Sequence, residues 1–241
     1  GSVPYAYTLS LTLSNKINHE WMMRFSEKLL FLQKKYNFFL LGGDIGKSNK
    51  IHISSNFFGY VKKNFAIKRQ FPNLNDDIWV SGNLGNSFVG LLLKKNKIQI
   101  NKKFNKYFLK YYHYPSPCML GSKINNLVSA AIDISDGFLG DLNKLLNYNL
   151  GASLSILDMP FSNYSKELIA DNLITPIKLL SGGDDYELIF TSNSKNENKI
   201  NKIANLNKIK VSKVGRIISK KGIFIDGKNI KNSYDSYEYF F

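Results

Sequence analysis

Three apolar, strand-like runs in this chain are bounded by carboxylates set beside glycine or serine. They are Leu40-Leu41-Gly42-Gly43-Asp44, Asp133-Ile134-Ser135-Asp136-Gly137, and Ser181-Gly182-Gly183-Asp184-Asp185-Tyr186-Glu187. Carboxylates crowded together without cationic partners repel one another, so a chain that gathers them needs cations to neutralise them. Oxygen-only ligand sets suit Mg²⁺, which keeps several waters and shares itself with substrate phosphates. An ordinary turn accounts for any single Gly-Asp pair. Three such turns in one chain point to a site for metal and phosphate.

The acids stand out because the background is basic: 33 Lys plus Arg against 18 Asp plus Glu, a net charge of +15. Such an excess raises the question of nucleic acid or an anionic membrane. Here nearly all of it is Lys spread along the chain among Asn and Ile, with Arg only at positions 24, 69 and 216. A reader of nucleic acid clusters Arg for bidentate contacts, so the charge reads as a solvated surface that attracts small phosphorylated anions. No run approaches the roughly 18 apolar residues of a membrane span, and the first ten residues lack the basic and apolar regions of a secretory signal. With one cysteine, Cys118, no internal disulfide can form. A reducing, cytoplasmic setting is expected, with neither nucleic acid nor membrane as partner.

Tyr5–Leu13 alternates as a strand, and residues 18–36 repeat apolar positions at helical spacing with Asn18 as N-cap. Phe38–Asp44 reads as a buried strand ending in a glycine turn, and residues 51–61 as another strand. Turn formers through residues 62–77, with Pro72, mark a domain joint and give domains of 1–68 and 69–241. Beyond it, strands are expected at residues 77–82, 130–135, 152–160, 185–191, 214–219 and 222–227. Helices are expected at residues 86–95, on either side of the Tyr114–Pro117 turn, and at 138–147, 166–172 and 196–203. The mixed, non-repeating order argues for α+β layers.

Gly43-Asp44-Ile45-Gly46-Lys47-Ser48 invites a P-loop reading, which fails on spacing: the required first glycine would be Leu41, and a strand rather than a helix follows. The three histidines lie too far apart for zinc, and Cys118 lacks a nucleophile's surroundings. Tyr111, Tyr112 and Tyr114 read as core and turn packing.

The motifs together resemble the thiamine-monophosphate kinase family, of the aminoimidazole ribonucleotide synthetase-like superfamily. The correspondence runs through LSLTL, LLGGD, FGYV, DIWVSGNLGNSFVGLLL, YPSPCMLG, AAIDISDGFLGDL, LDMPF, LSGGDDYELIF, VGRI and the tail SYEYF. The resemblance implies a two-domain α+β fold whose N-terminal domain, incomplete here, forms a homodimer through its strands. It implies transfer of the γ-phosphoryl group of ATP to thiamine monophosphate with Mg²⁺. By position, Gly43 and Asp44 would meet the nucleotide phosphates and a metal, and Arg69 would contact ATP. Asp133 and Asp136 would be metal ligands with Ser135 on the nucleotide, and Asp184 and Tyr237 would contact the thiamine substrate. The family carries further metal-binding aspartates in an upstream segment, and this chain begins where that segment would end. It also departs from the family at Ile45, where Thr usually stands, and at Cys118, where Arg does.

The chemistry suits such a site. A phosphate monoester has its second pKa near about 6, so the acceptor is already anionic and needs no general base. It needs relief from repulsion between two polyanions, which carboxylate-held cations supply. Two other readings fit the residues: a different ATP-dependent enzyme of the superfamily, such as a selenophosphate or aminoimidazole ribonucleotide synthetase, or a non-catalytic basic binding module. Assays with each acceptor separate the first, and salt-dependent duplex binding without ATP turnover marks the second.

Overall fold

The computed structural model describes residues 1–116, 118–146 and 149–230. By backbone contact they divide into two compact units, residues 2–66 and residue 1 with residues 67 onward. Both mix helix and sheet, so the class is α+β as expected.

Residues 2–66 form β1 (Val3–Leu13), α1 (His19–Tyr36), β2 (Phe39–Lys47) and β3 (His52–Tyr60), with sheet order β2-β1-β3. The Asn18 side chain accepts from the Trp21 N–H at 2.9 Å and starts α1, and Asn37, left-handed at φ 53°, stops it. Tyr7 is the centre of this unit: its ring stacks on Phe57 at 5.3 Å, meets Phe38 edge-on at 5.4 Å, and its hydroxyl accepts from the Gln33 amide at 3.2 Å.

One expectation for this unit fails. The run Phe39–Asp44 is neither buried nor ended by a glycine turn. β2 continues through Gly42, Gly43 and Asp44 to Lys47, pairing Leu9 with Gly43 and Ser10 with Asp44. Its apolar run mimics a strand buried on both faces, but it lies at the edge of a small sheet, where glycine is tolerated and a register shift at Tyr7/Thr8 absorbs the irregularity.

Residues 67 onward build a seven-stranded sheet from β4 (Asp77–Ser81), β5 (Ala130–Asp133), β6 (Gly151–Leu154), β7 (Leu188–Ser192), β8 (Val211–Ile218), β9 (Gly222–Ile225) and β10 (Lys228–Asn229). The order is β10-β9-β6-β8-β4-β7-β5, antiparallel except for the β6–β9 pair. Helices α2 (Asn86–Lys94), α3 (Lys102–His113), α4 (Gly121–Ile124), α5 (Phe138–Leu145), α6 (Asn163–Ala170), α7 (Pro176–Ser181) and α8 (Glu197–Leu206) cover it.

All five residues of β4 are buried, and their alternation divides the core in two. Ile78 and Val80 join the larger cluster with Leu139 and Leu142 of α5 and Leu179 of α7. Trp79 faces the other way, stacking near-parallel on Phe190 at 6.2 Å beside Ile124 and Ile200.

The sequence reading passes over α7, although Thr175 caps it by accepting from the Lys178 N–H and Pro176 opens it. The strand expected at residues 152–160 ends at Leu154. β7 begins at Leu188, so Asp185-Tyr186-Glu187 are loop rather than strand. Tyr114 is 72% exposed rather than packed in the core.

Candidate functional site

Antiparallel pairing brings two of the acidic motifs together. β5 runs into Asp133-Ile134-Ser135-Asp136-Gly137, and Ser181–Glu187 runs into β7; because the register pairs Asp133 with Leu188, the two loops leave the same end of the sheet side by side. The ladder then continues beyond the strands. Ile134 N–H donates to the Glu187 carbonyl at 2.8 Å, Tyr186 N–H to the Ile134 carbonyl at 2.9 Å, and Asp184 N–H to the Ser135 carbonyl at 2.9 Å.

The glycines in these motifs are there for closeness. A Cβ on Gly183 would lie 2.2 Å from the Ser135 carbonyl oxygen, and one on Gly137, at φ 110°, would lie 2.3 Å from that of Ser181. Asp184 and Tyr186 both hold left-handed backbones, at φ 67° and 51°. Non-glycine residues in that region persist only where their surroundings over-determine them, and they cluster at functional sites.

Tyr186 stands next to Asp184. Its hydroxyl hydrogen-bonds Asp184 at 3.3 Å. Burial pushes the Tyr186 phenol up, and the charges of Asp184, Asp133 and Asp136 push it further. These three predicted site residues therefore share one neighbourhood. Asp133 is exposed, and no hydrogen bond reaches its carboxylate among the described residues. Asp136 is paired with the Lys144 ammonium.

The other acids of the second motif turn inward. Asp185 accepts from the Gly85 N–H at 2.7 Å and the Ser87 N–H at 3.3 Å, anchoring the loop to the start of α2. Burial pushes its carboxyl up to about 7 against those two hydrogen bonds, and the charges of Glu187 and Asp184 add to the rise. Glu187 accepts from the Ser81 hydroxyl, and the Ser81 oxygen accepts from the Leu188 N–H at 2.9 Å. Burial raises Glu187 as well, opposed by Ser81 and by the Lys210 charge.

Arg69 lies in the loop before β4, exposed, beside Lys68, whose carbonyl accepts from Ala131 N–H at 3.2 Å and so ties this loop to β5. Ser135 is half-buried in the first loop. Gly43 and Asp44 belong to β2 of the other unit, both exposed, with the Asp44 carboxylate accepting from the Ile45 N–H at 2.9 Å. Tyr237 lies outside the described residues.

Sequence reasoning misses Asp141. This fully buried aspartate accepts from the Ser135 and Asp136 N–H groups, both at 2.9 Å, and from the Lys144 ammonium at 2.8 Å. The available signal is an acid inside the apolar run Phe138–Leu142, which reads as the polar face of a helix until its burial is seen.

The donor chemistry suits Mg²⁺: hard carboxylate oxygens, with Asp133 exposed and Asp136 on the same loop. Among the described residues no three His, Cys, Asp or Glu side chains gather as a set able to hold a metal ion. Asp133 and Asp136 offer the oxygen donors of such a shell but do not make a complete one by themselves.

The family described as "AIR synthase related protein, C-terminal domain" matches residues 75–228. The thiamine-monophosphate kinase of Buchnera aphidicola subsp. Acyrthosiphon pisum is 35% identical over 206 residues, 83% of this chain and 62% of that protein. The one of Buchnera aphidicola subsp. Schizaphis graminum is 34% identical over 230 residues, 92% of this chain and 69% of that protein. The solved structure described as "AaThiL complexed with AMPPCP and TMP" superposes with a TM-score of 0.83 at 27% identity, covering 96% of this chain and 72% of that one. The chain therefore spans only 62% and 69% of the length of the two Buchnera relatives. Identity at this level over nearly the whole chain, in proteins sharing one name, places this chain in the thiamine-monophosphate kinase family, within the AIR synthase-related proteins.

Proposed function

We propose that this chain carries the Asp133–Gly137 and Ser181–Glu187 loops of a thiamine-phosphate kinase, and that the enzyme transfers the γ-phosphoryl group of ATP to thiamine monophosphate, giving thiamine diphosphate and ADP. The observation that carries this reading is the interlocked pair of loops, which sets Asp133, Asp136 and Asp184 on two adjoining turns at one end of the sheet, with no histidine or cysteine among the loop residues. Family membership and the relative bound to AMPPCP and TMP support it.

In this reading Asp133 and Asp136 hold Mg²⁺, as does Asp44, and the ions supply charge neutralisation to the phosphates. Ser135, Gly43, Asp44 and Arg69 bind ATP, while Asp184 and Tyr237 bind the thiamine substrate. Residues 1–68 are the dimer-forming part and residues 69–241 the second domain of a cytoplasmic homodimer. The chain's own residues do three things. Arg69 pairs with nucleotide phosphate as a planar, permanently charged fork. The loop hydrogen bonds hold Ser135 and Asp184 at fixed separation, so donor and acceptor meet in one orientation. Asp141 keeps the first loop from relaxing by occupying its Ser135 and Asp136 N–H groups.

The test is formation of thiamine diphosphate from thiamine monophosphate and ATP, measured by chromatography with Mg²⁺ present and chelated, using the chain alone and the chain extended to the family's full length. Magnesium-dependent product from the extended protein is expected. No product from either, with both folded, overturns the reading.

A further inference from the structure

Asp136 and Asp141 share one cation. Asp141 and Lys144 lie three residues apart on α5 and so on one face. The Lys144 ammonium donates to Asp141 Oδ1 at 2.8 Å and to Asp136 Oδ2, while Asp141 Oδ2 holds the backbone from which Asp136 projects. The Asp141 side chain is 1% exposed and that of Lys144 42%, so the aspartate is a fixed anchor and the lysine reaches outward from it. Burial pulls the Lys144 ammonium down, but its hydrogen bonds to Asp136 and Asp141, with their charges, outweigh that and raise it overall.

An ammonium bonded to the Asp136 carboxylate does what a divalent ion would do there: it neutralises that carboxylate. The two cations want the same oxygen. We propose that Lys144 is an exchangeable counter-ion of the candidate metal site, holding Asp136 and competing with the divalent ion for that carboxylate. This rests on the reading of Asp133 and Asp136 as metal ligands. Asp133 lies outside the competition and would hold the ion in either case, whereas Asp136 would hold it only with Lys144 displaced. Occupancy then rises at higher metal concentration than bare carboxylates would require, and Lys144, still bonded to Asp141, stays at the rim of the site.

The experiment titrates the chain with Mn²⁺ alone, without nucleotide, and counts free Mn²⁺ by electron paramagnetic resonance. Lys144→Met should bind Mn²⁺ about tenfold more tightly than the unaltered protein, since it removes a nearby positive charge and frees a ligand. Lys144→Gln, which keeps hydrogen-bond donors without the charge, should do the same and covers the case in which Met disturbs folding. Lys144→Arg should stay near the unaltered value. In the Lys144→Met background, Asp136→Asn should abolish the gain. Unchanged or weaker Mn²⁺ binding in both neutral variants overturns the proposal, as does a gain that survives Asp136→Asn. Tighter Mn²⁺ binding in a protein that makes no thiamine diphosphate would leave the counter-ion standing and remove the functional reading instead.

Discussion

The two units of this chain bury their apolar residues very differently. In β4 of the larger unit every residue is inside, and Ile78, Val80 and Ile189 are fully enclosed. In the smaller unit no residue of α1 is buried, and Phe39, Leu40, Leu41 and Ile45 on β2 and Ile53, Phe57 and Phe58 on β3 are all exposed. Three apolar side chains, Ala6, Tyr7 and Leu11, are its buried members among the described residues. A core of that size stabilises little, and most of this unit's large apolar side chains on β2 and β3 face outward. The larger unit can fix loop geometry to within a hydrogen bond because its sheet is braced on both sides. The smaller one presents Asp44 on a strand whose faces are open.

The largest effect should come from the braced unit's exposed carboxylate. Asp133→Asn in the family-length protein should lower Mg²⁺-dependent thiamine diphosphate formation by about 100-fold or more, the scale of losing one electrostatic contact to the transition state. Its melting temperature should stay put, because Asp133 lies on the surface and its carboxylate accepts no hydrogen bond among the described residues. Parallel assays at limiting Mg²⁺ decide; an unaltered rate would take Asp133 out of the site.

Next in size is a core substitution. Leu139→Ala on α5 empties a fully buried position in the helix that follows the first acidic loop, which costs about 2–5 kcal/mol. Urea unfolding should show it as a lower midpoint. A cost below about 1 kcal/mol would mean that α5 is not the brace described here.

A smaller, pH-dependent effect separates the units again, since the shifted acids both sit in the larger one. Burial raises Asp185 in the folded state from its ordinary 3.8 to about 7. Between those values the folded protein keeps a proton that the unfolded chain has released, so unfolding releases a proton and stability falls as pH rises through this window. Above about 7 the contribution is flat. Glu187, raised by burial too, adds a slope of the same sign. Urea midpoints should therefore decline from pH 4.5 to 7.5, and Asp185→Asn should flatten most of the decline. A midpoint that rises over this range would refute the buried, protonated Asp185.

How legible all this was depended on locality. The Asn18 cap, the α1 periodicity and the β4 run are written in adjacent residues, and each formed where its spacing placed it. The acidic motifs were legible but their juxtaposition was not: Asp133 and Asp184 lie far apart in the chain, and only the β5–β7 register sets their loops together. Asp141 and Lys144 were invisible because a helical repeat says which face is polar, not that an acid on it is buried against two backbone amides. β2 misled because an uninterrupted apolar run looks the same at an uncovered edge as in the middle of a sheet.

The smallest effect on stability should come from that misleading strand, and there a small number is informative. Leu41 is 54% exposed on β2, so Leu41→Thr keeps strand propensity and removes apolar surface already in water. Its effect on the urea midpoint should stay within about 0.5 kcal/mol. If the open face of the smaller unit is where two copies meet, the same substitution should shift the chain toward monomer in sedimentation velocity. An interface loses the burial of that side chain even when the folded monomer does not. The two readouts must part company: unchanged unfolding with weakened association sharpens the contrast between a braced unit and one completed by a partner. Leu41→Thr that destabilises the monomer by about 2 kcal/mol or more would place Leu41 in a core and erase the contrast. Unchanged association would assign the apolar face to something other than a second copy of this chain.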